Sequence, residues 1–258
     1  WISKYKGKFD QGWDKLREQT PARQIELVVV PTGTKLTPRP AEIAVWDLLS
    51  ADQKRLFARQ METFAGFASH TDHEIGRLVT AIEQMGVMDN TLFFYIVGDN
   101  GASAEGGPDG TYNEMLALNG IISDIASQMP HIDEWGSPNT FPHYSIGWAH
   151  AGDTPFQWTK QVASHFGGTR NPMVIHWPDR IKAKGEVRSQ FHHVIDIAPT
   201  VLEAAGLPEP TSVNGTVQRP MDGVSMLYTF TDPKAKDRHT TQYFEMFGNR
   251  AIYHEGWV

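Results

Sequence analysis

The chain has 258 residues, of which 40% are hydrophobic and 21% are charged, as in folded globular proteins and unlike disordered ones. Its formal net charge of -7 argues against nucleic acid and anionic membranes as partners, and no apolar run approaches the roughly 20 residues of a membrane span. The absence of cysteine excludes disulfides, thiolate ligands and a cysteine nucleophile within this chain.

The longest periodic segment predicts a helix from Ala51 to Met85. Ser50 and Gln53 match a capping box before it, and Gly86 matches a left-handed cap after it. Apolar residues recur at alternating steps of four and three, which places them on one face; they are Phe57, Met61, Phe64, Ala68, Thr71, Ile75, Leu78, Ile82 and Met85. We expect this stripe to pack into the core, and a cofactor or partner groove is the alternative.

An apolar run over residues 91–98 predicts a buried strand of an α/β sheet. It stops at Asp99 and Asn100, at the end of the strand where open α/β sheets place ligand sites. A carboxylate beside an amide suits a hard cation such as Ca²⁺ or Mg²⁺. An Asx turn explains the same pair equally well, and Ca²⁺ would need further oxygen ligands, since it takes about 6–8.

Residues 101–170 show little periodicity, and so long an irregular region in a compact domain is usually functional. Lys160 lies there among aromatic residues, where its ammonium group could hold an oxyanion. Gly167 and Gly168 permit a close backbone approach. By itself this pattern favours a solvated surface lysine over an anion site.

Two further units follow. Residues 172–177 predict a second apolar strand, and residues 193–206 predict a helix with Pro199 in its first turn and Gly206 at its C-terminal cap. A smaller β-rich portion is predicted from about Thr240.

Taken in order, these stretches resemble the sulfatase family, especially the arylsulfatases of the alkaline-phosphatase-like superfamily. The resemblance rests on Gly98-Asp99-Asn100-Gly101, Thr154-Pro155 with Lys160 five residues later, Gly167 to Pro172, Ile195 to Leu202, and Asp222-Gly223-Val224-Ser225. It implies an α/β fold that is part of an alkaline-phosphatase-like sandwich, in which a mixed, mainly parallel sheet is flanked by helices. Residues 1–236 would be an incomplete sulfatase α/β domain, and residues 237–258 the truncated start of a smaller β-rich C-terminal portion.

The resemblance also implies the chemistry. Asp99 and Asn100 would be ligands of one Ca²⁺ ion, and Lys160 would be a catalytic residue that contacts the sulfate group. The expected activity is sulfuric ester hydrolysis, with a small-molecule sulfate ester as substrate.

The sequence departs from the family in its nucleophile motif, and it also lacks the family's early strand that ends in paired Asp residues and completes the calcium site. The family's nucleophile is a formylglycine made from a Cys/Ser-x-Pro-x-Arg motif, and this chain has no such motif. We therefore expect a fragment that is inactive alone, with the formylglycine and further calcium ligands in a preceding segment. The alternatives are a phosphodiesterase or phosphonate monoester hydrolase of the same superfamily, which carry two transition metals, or a degenerate non-catalytic binding domain.

Overall fold

The computed structural model describes residues 1–98 and 100–258. Its α-helices are α1 (Gly12–Glu26), α2 (Ala51–Gln84), α3 (Glu114–Leu118), α4 (Ile125–Gln128), α5 (Ile146–Gly152), α6 (Phe166–Thr169) and α7 (Ile197–Ala205). Its strands are β1 (Phe93–Ile96), β2 (Met173–His176), β3 (Ser212–Val213), β4 (Thr216–Val217), β5 (Thr241–Met246) and β6 (Asn249–His254). Within these described residues no helix combines the length and the apolar character needed to cross a membrane.

The strands pair in antiparallel fashion. β1 pairs with β2, with Phe94 opposite Ile175 and Tyr95 opposite Val174, and β3–β4 and β5–β6 form two short antiparallel ribbons. The strands in the described part of the chain therefore do not form the mainly parallel sheet that we expected. The apolar runs predicted the positions of β1 and β2 but not the direction of pairing, and the expected burial is incomplete, since Ile96 and Val174 are exposed.

Helix α2 begins and ends as predicted. Gln53 N–H donates to the Ser50 hydroxyl over 3.2 Å, and Ser50 N–H donates back to the Gln53 side chain over 2.9 Å. Gly86 follows the helix with φ at +69°, the left-handed conformation that costs glycine little.

Little of the predicted apolar stripe of α2 is buried. Phe57 is buried, whereas Leu78 and Met85 are 54% and 72% exposed. The buried face of the helix instead includes Leu56 and the polar Gln60, so it is not the face that the apolar periodicity predicted.

An aromatic core joins α1, α2 and α5. Trp13 packs edge-on against both Trp46 and Trp148, with ring centroids 4.9 and 5.6 Å away. Each buried indole needs a hydrogen-bond acceptor: Trp13 donates to the Ala44 carbonyl and Trp148 to the Phe57 carbonyl, over 3.0 and 2.7 Å. These bonds fix the position of α5, which leads into the loop that carries Lys160.

The β5–β6 ribbon packs onto the region before α7. Tyr253 stacks on Phe191 with centroids 3.7 Å apart. The ribbon also reaches the Lys160 loop, because the Asn249 amide donates to the Gln161 carbonyl over 3.4 Å.

Candidate active site

The loop that follows β1 was predicted to hold the cation site. Asp99 lies outside the described residues. Asn100 is half-buried at the end of β1, and the neighbouring Gly98 and Gly101 have φ of +71° and +84°. The chain therefore leaves the strand through two left-handed positions, which glycine adopts without steric cost.

Two side chains from distant parts of the chain anchor this loop. Gly101 N–H donates to the Asn171 amide oxygen over 3.0 Å, and Ala102 N–H donates to the Asp153 carboxylate over 2.9 Å. Backbone groups in such a turn lack secondary-structure partners, so these bonds replace them. Asn171 and Asp153 thereby set the direction in which the loop leaves β1.

The loop that carries Lys160 lies beside the β1 loop. Lys160 N–H donates to the Ala102 carbonyl over 3.0 Å. Two residues that flank the lysine, Trp158 and Gln161, have φ of +65° and +75°. Left-handed conformations of non-glycine residues cost on the order of 1–3 kcal/mol and concentrate at functional sites, so the surrounding contacts hold this segment in a strained form.

The two loops touch backbone to backbone at Gly101 and Gly167. A Cβ atom on Gly101 would collide with the Gly167 carbonyl oxygen, and it would lie 3.0 Å from Lys160 N. A Cβ atom on Gly167 would collide with the carbonyl oxygens of Gln157 and Trp158. The predicted close approach at Gly167 is thus present, and its partner is the loop after β1.

The Lys160 ammonium group does not project freely into solvent. It lies 3.1 Å from the Glu105 carboxylate, and the two side chains are 28% and 37% exposed. The hydrogen bond from Lys160 is the main cause that lowers the pKa of Glu105, followed by one from Ser103. Lys160 is thus a partly exposed member of an ion pair with Glu105.

Behind the loops lies a buried polar cluster. The Arg17 guanidinium donates to the His150 carbonyl over 2.7 Å and to the Thr37 carbonyl over 3.0 Å. Burial lowers the pKa of His150 to about 3, with help from the Arg17 charge. Burial raises the pKa of Asp153 to about 7, against the opposing effect of the bond from Ala102.

Sequence reasoning missed several residues of this site, namely Ser103, Glu105, Asp153, Gln161 and Asn171. These residues lie in segments without periodicity. Each makes its hydrogen bond to a residue about 40 or more positions away or within a local turn. The position of Asn171 directly before Pro172, three residues after Gly168, was the one available signal.

The donor chemistry for a cation is present but incomplete in the described residues. Asn100 offers an amide oxygen, a ligand type that Ca²⁺ accepts. No group of three or more His, Asp or Glu side chains in residues 1–98 and 100–258 is arranged to hold a metal ion. Since Ca²⁺ takes about 6–8 oxygen ligands, the described residues fit one side of such a site only.

The sequence is similar to those of known proteins. A family model described as Sulfatase matches residues 1–207. An uncharacterized sulfatase of Schizosaccharomyces pombe is 30% identical over 257 residues, which are 98% of this chain and 44% of that protein. An arylsulfatase of Klebsiella aerogenes is 28% identical over 227 residues, 88% of this chain and 46% of that enzyme.

A more distant relative is the human N-acetylgalactosamine-6-sulfatase, which is 26% identical over 172 residues, 67% of this chain and 24% of that protein. The chain thus spans less than half the length of the curated relatives it matches. Because the family model covers most of its residues, the chain belongs to the sulfatase family.

Proposed function

We propose that this chain is part of a sulfuric ester hydrolase of the arylsulfatase type, which acts on a small-molecule sulfate ester. The observation that carries the proposal is the backbone bond from Lys160 to Ala102, 3.0 Å long. It joins the loop of the expected anion-binding lysine to the loop that contains Asn100. A cation and an ammonium group at one end of β1 would suit a substrate that carries negative charge.

The chemistry follows from the charge of a sulfate ester. Hydrolysis breaks the bond between sulfur and the ester oxygen, and negative charge grows on that oxygen as the alcohol leaves. The Lys160 ammonium would offset charge on the sulfate oxygens, and such preorganised stabilisation is usually the largest catalytic contribution. Bound Ca²⁺ would supply further positive charge, held by Asp99 and Asn100 together with oxygens from outside this chain.

The nucleophile in this proposal is a formylglycine in a segment outside this chain. The chain itself contains no Cys/Ser-x-Pro-x-Arg motif. We therefore expect the 258-residue chain alone to turn over little or no sulfate ester.

We also propose that β1 and β2 belong to a larger sandwich in the intact protein, with a mainly parallel sheet between helices. Val97 and Val174 support this, since both are more than half exposed at this short ribbon and would be covered by further strands or helices. Residues 1–236 would form the α/β portion, and residues 237–258 the start of a β-rich C-terminal portion.

The test is hydrolysis of an aryl sulfate by the intact protein, with an aryl phosphate diester as the competing substrate. We expect preference for the sulfate and one bound Ca²⁺ by metal analysis. Preference for the phosphodiester, with two Zn²⁺ or Mn²⁺ ions, would instead assign the phosphodiesterase class.

Lys160→Ala should lower kcat by about 10²–10³, the loss typical of one removed oxyanion donor. Lys234→Ala, which removes an exposed lysine, is the matched control and should leave kcat unchanged. Equal activity in both variants would contradict the role of Lys160.

A further inference from the structure

Three side chains converge on the carboxylate of Glu105. Lys160 and Ser103 both donate to Oε2, over 3.1 and 2.9 Å. The Gln161 amide donates to Oε1 over 2.7 Å. An ammonium, a hydroxyl and an amide thus surround the two oxygens of one anionic group, which is a complete donor set for an anion.

Further contacts fix the positions of the three donor residues. The backbone of Lys160 is bonded to Ala102, and Gln161 keeps a left-handed φ of +75°. His143 Nε2 lies 2.9 Å from the Ser103 oxygen, and the hydroxyl keeps its single hydrogen for Glu105 when that ring nitrogen is the donor. An isolated surface ion pair gains little stability, because two mobile side chains lose entropy when they order. Here the contacts behind the donors have already ordered them.

Glu105 is the most solvent-exposed of the four side chains in this group. Its side chain is 37% exposed, and among the described residues its carboxylate accepts hydrogen bonds from these three donors alone. Its carboxylate can therefore swing into water and leave the donors in place for another anion.

We propose that Ser103, Lys160 and Gln161 form one binding site for the sulfate group of the substrate, and that the Glu105 carboxylate occupies this site until the substrate displaces it. This inference rests on the proposed function, because that function supplies the ligand class. The inference adds Ser103 and Gln161 to the residues that bind the sulfate group. It also makes the Glu105 carboxylate an intramolecular competitor of the substrate.

If Glu105 competes with the substrate for the three donors, removal of its charge should raise the affinity for an anion. Glu105 neutralises the Lys160 charge and repels an incoming anion, so loss of its charge must strengthen anion binding. We expect Glu105→Gln to bind inorganic sulfate about tenfold more tightly than the unchanged protein, which corresponds to about 1.4 kcal/mol. Glu83→Gln, at an exposed position of α2, makes the same change in net charge and should have no effect.

The donors are tested in the Glu105→Gln background. Ser103→Ala and Gln161→Gly should each weaken sulfate binding by roughly ten- to a hundredfold, the net value of a hydrogen bond to a charged group. Glycine is chosen at position 161 because it adopts positive φ freely, so that the amide is removed without added backbone strain.

The measurement is calorimetric titration of the protein with sodium sulfate, with sodium chloride to hold the ionic strength constant. Near-ultraviolet circular dichroism establishes that each variant is folded. Weaker or unchanged binding in Glu105→Gln would overturn the inference, and so would donor variants that bind as tightly as their background.

These outcomes are separable from the proposed function. The expected binding pattern in a protein that hydrolyses no sulfate ester would support the site and contradict the function. If the protein hydrolyses an aryl sulfate but the changes at Glu105, Ser103 and Gln161 do not alter sulfate binding, the proposed function is supported and the proposed site is contradicted.

Discussion

Gly101 and Gly167 approach each other so closely that a methyl group on Gly101 would collide with the Gly167 carbonyl oxygen. These residues are 66 positions apart by their numbers, and each belongs to a motif that the sequence marked separately. Their contact is what joins the loop after β1 to the loop of Lys160.

We expect Gly101→Ala to destabilise the protein by about 2–5 kcal/mol. Positive φ costs a non-glycine residue about 1–2 kcal/mol, and the collision adds about 1–3 kcal/mol as in overpacked sites. Gly107→Ala is the matched control, because Gly107 has a φ of +65° but nothing within 4 Å of a Cβ atom. Urea denaturation measures both variants, and equal losses would show that the close approach costs nothing.

Asp153 should make the protein less stable as the pH rises. Burial raises its pKa to about 7, above the value of about 3.9 in the unfolded chain. Between these values the folded state binds more protons than the unfolded state, so the free energy of unfolding falls with increasing pH. Asp153→Asn keeps an oxygen for Ala102 N–H and removes the charge.

This variant should therefore gain on the order of 4 kcal/mol at a pH of about 8 and nothing at a pH of about 3, below both pKa values. Asp52→Asn, at an exposed position, serves as the control. A constant difference across the whole pH range would mean that titration of Asp153 is not the cause.

His150 should act in the opposite direction over a lower range. Burial lowers its pKa to about 3, below the unfolded value of about 6.5. The unfolded state then binds the extra proton between these values, so stability is lost as the pH falls through about 6.5. His150→Gln should flatten the acid limb of a plot of unfolding free energy against pH.

His254→Gln, which changes an exposed ring, should leave that limb as it is. If both variants flatten it equally, burial of His150 does not cause the acid sensitivity.

Asp196 is the fully buried acid that ties α7 to the C-terminal segment. It accepts hydrogen bonds from Val224 N–H over 2.7 Å, His193 N–H over 2.9 Å and His239 Nδ1 over 2.8 Å. Burial by itself raises the pKa of Asp196, but these bonds and His192 lower it. Asp196→Ala should cost about 3–5 kcal/mol, since it leaves buried donors without partners.

Asp222→Ala offers the comparison for an exposed pair. Asp222 lies 2.9 Å from Arg219 in solvent, where ion pairs are worth about 0–1 kcal/mol. Thermal and urea unfolding should show a much larger loss of unfolding free energy for Asp196→Ala than for Asp222→Ala. A similarly small loss for Asp196→Ala would contradict the role of its hydrogen bonds.

The sequence by itself determined the elements whose causes are local. Residues next to one another in the chain make the capping box of α2 and the left-handed caps at Gly86 and Gly206, where φ is +69° and +68°. The ordered motifs were also enough to predict membership of the sulfatase family, which the comparison confirms.

Only the tertiary structure decided which face of α2 is buried, which direction β2 takes beside β1, and which acid meets Lys160. Gln60 is buried although it is polar, because its amide donates to the Asp109 carbonyl over 2.7 Å and accepts from Ser145 N–H over 2.9 Å. Periodicity records hydrophobicity along one element, whereas these outcomes depend on partners that the chain brings together from 49 to 85 positions away. For the same reason the Glu105–Lys160 pair, 55 positions apart, was beyond the reach of spacing rules.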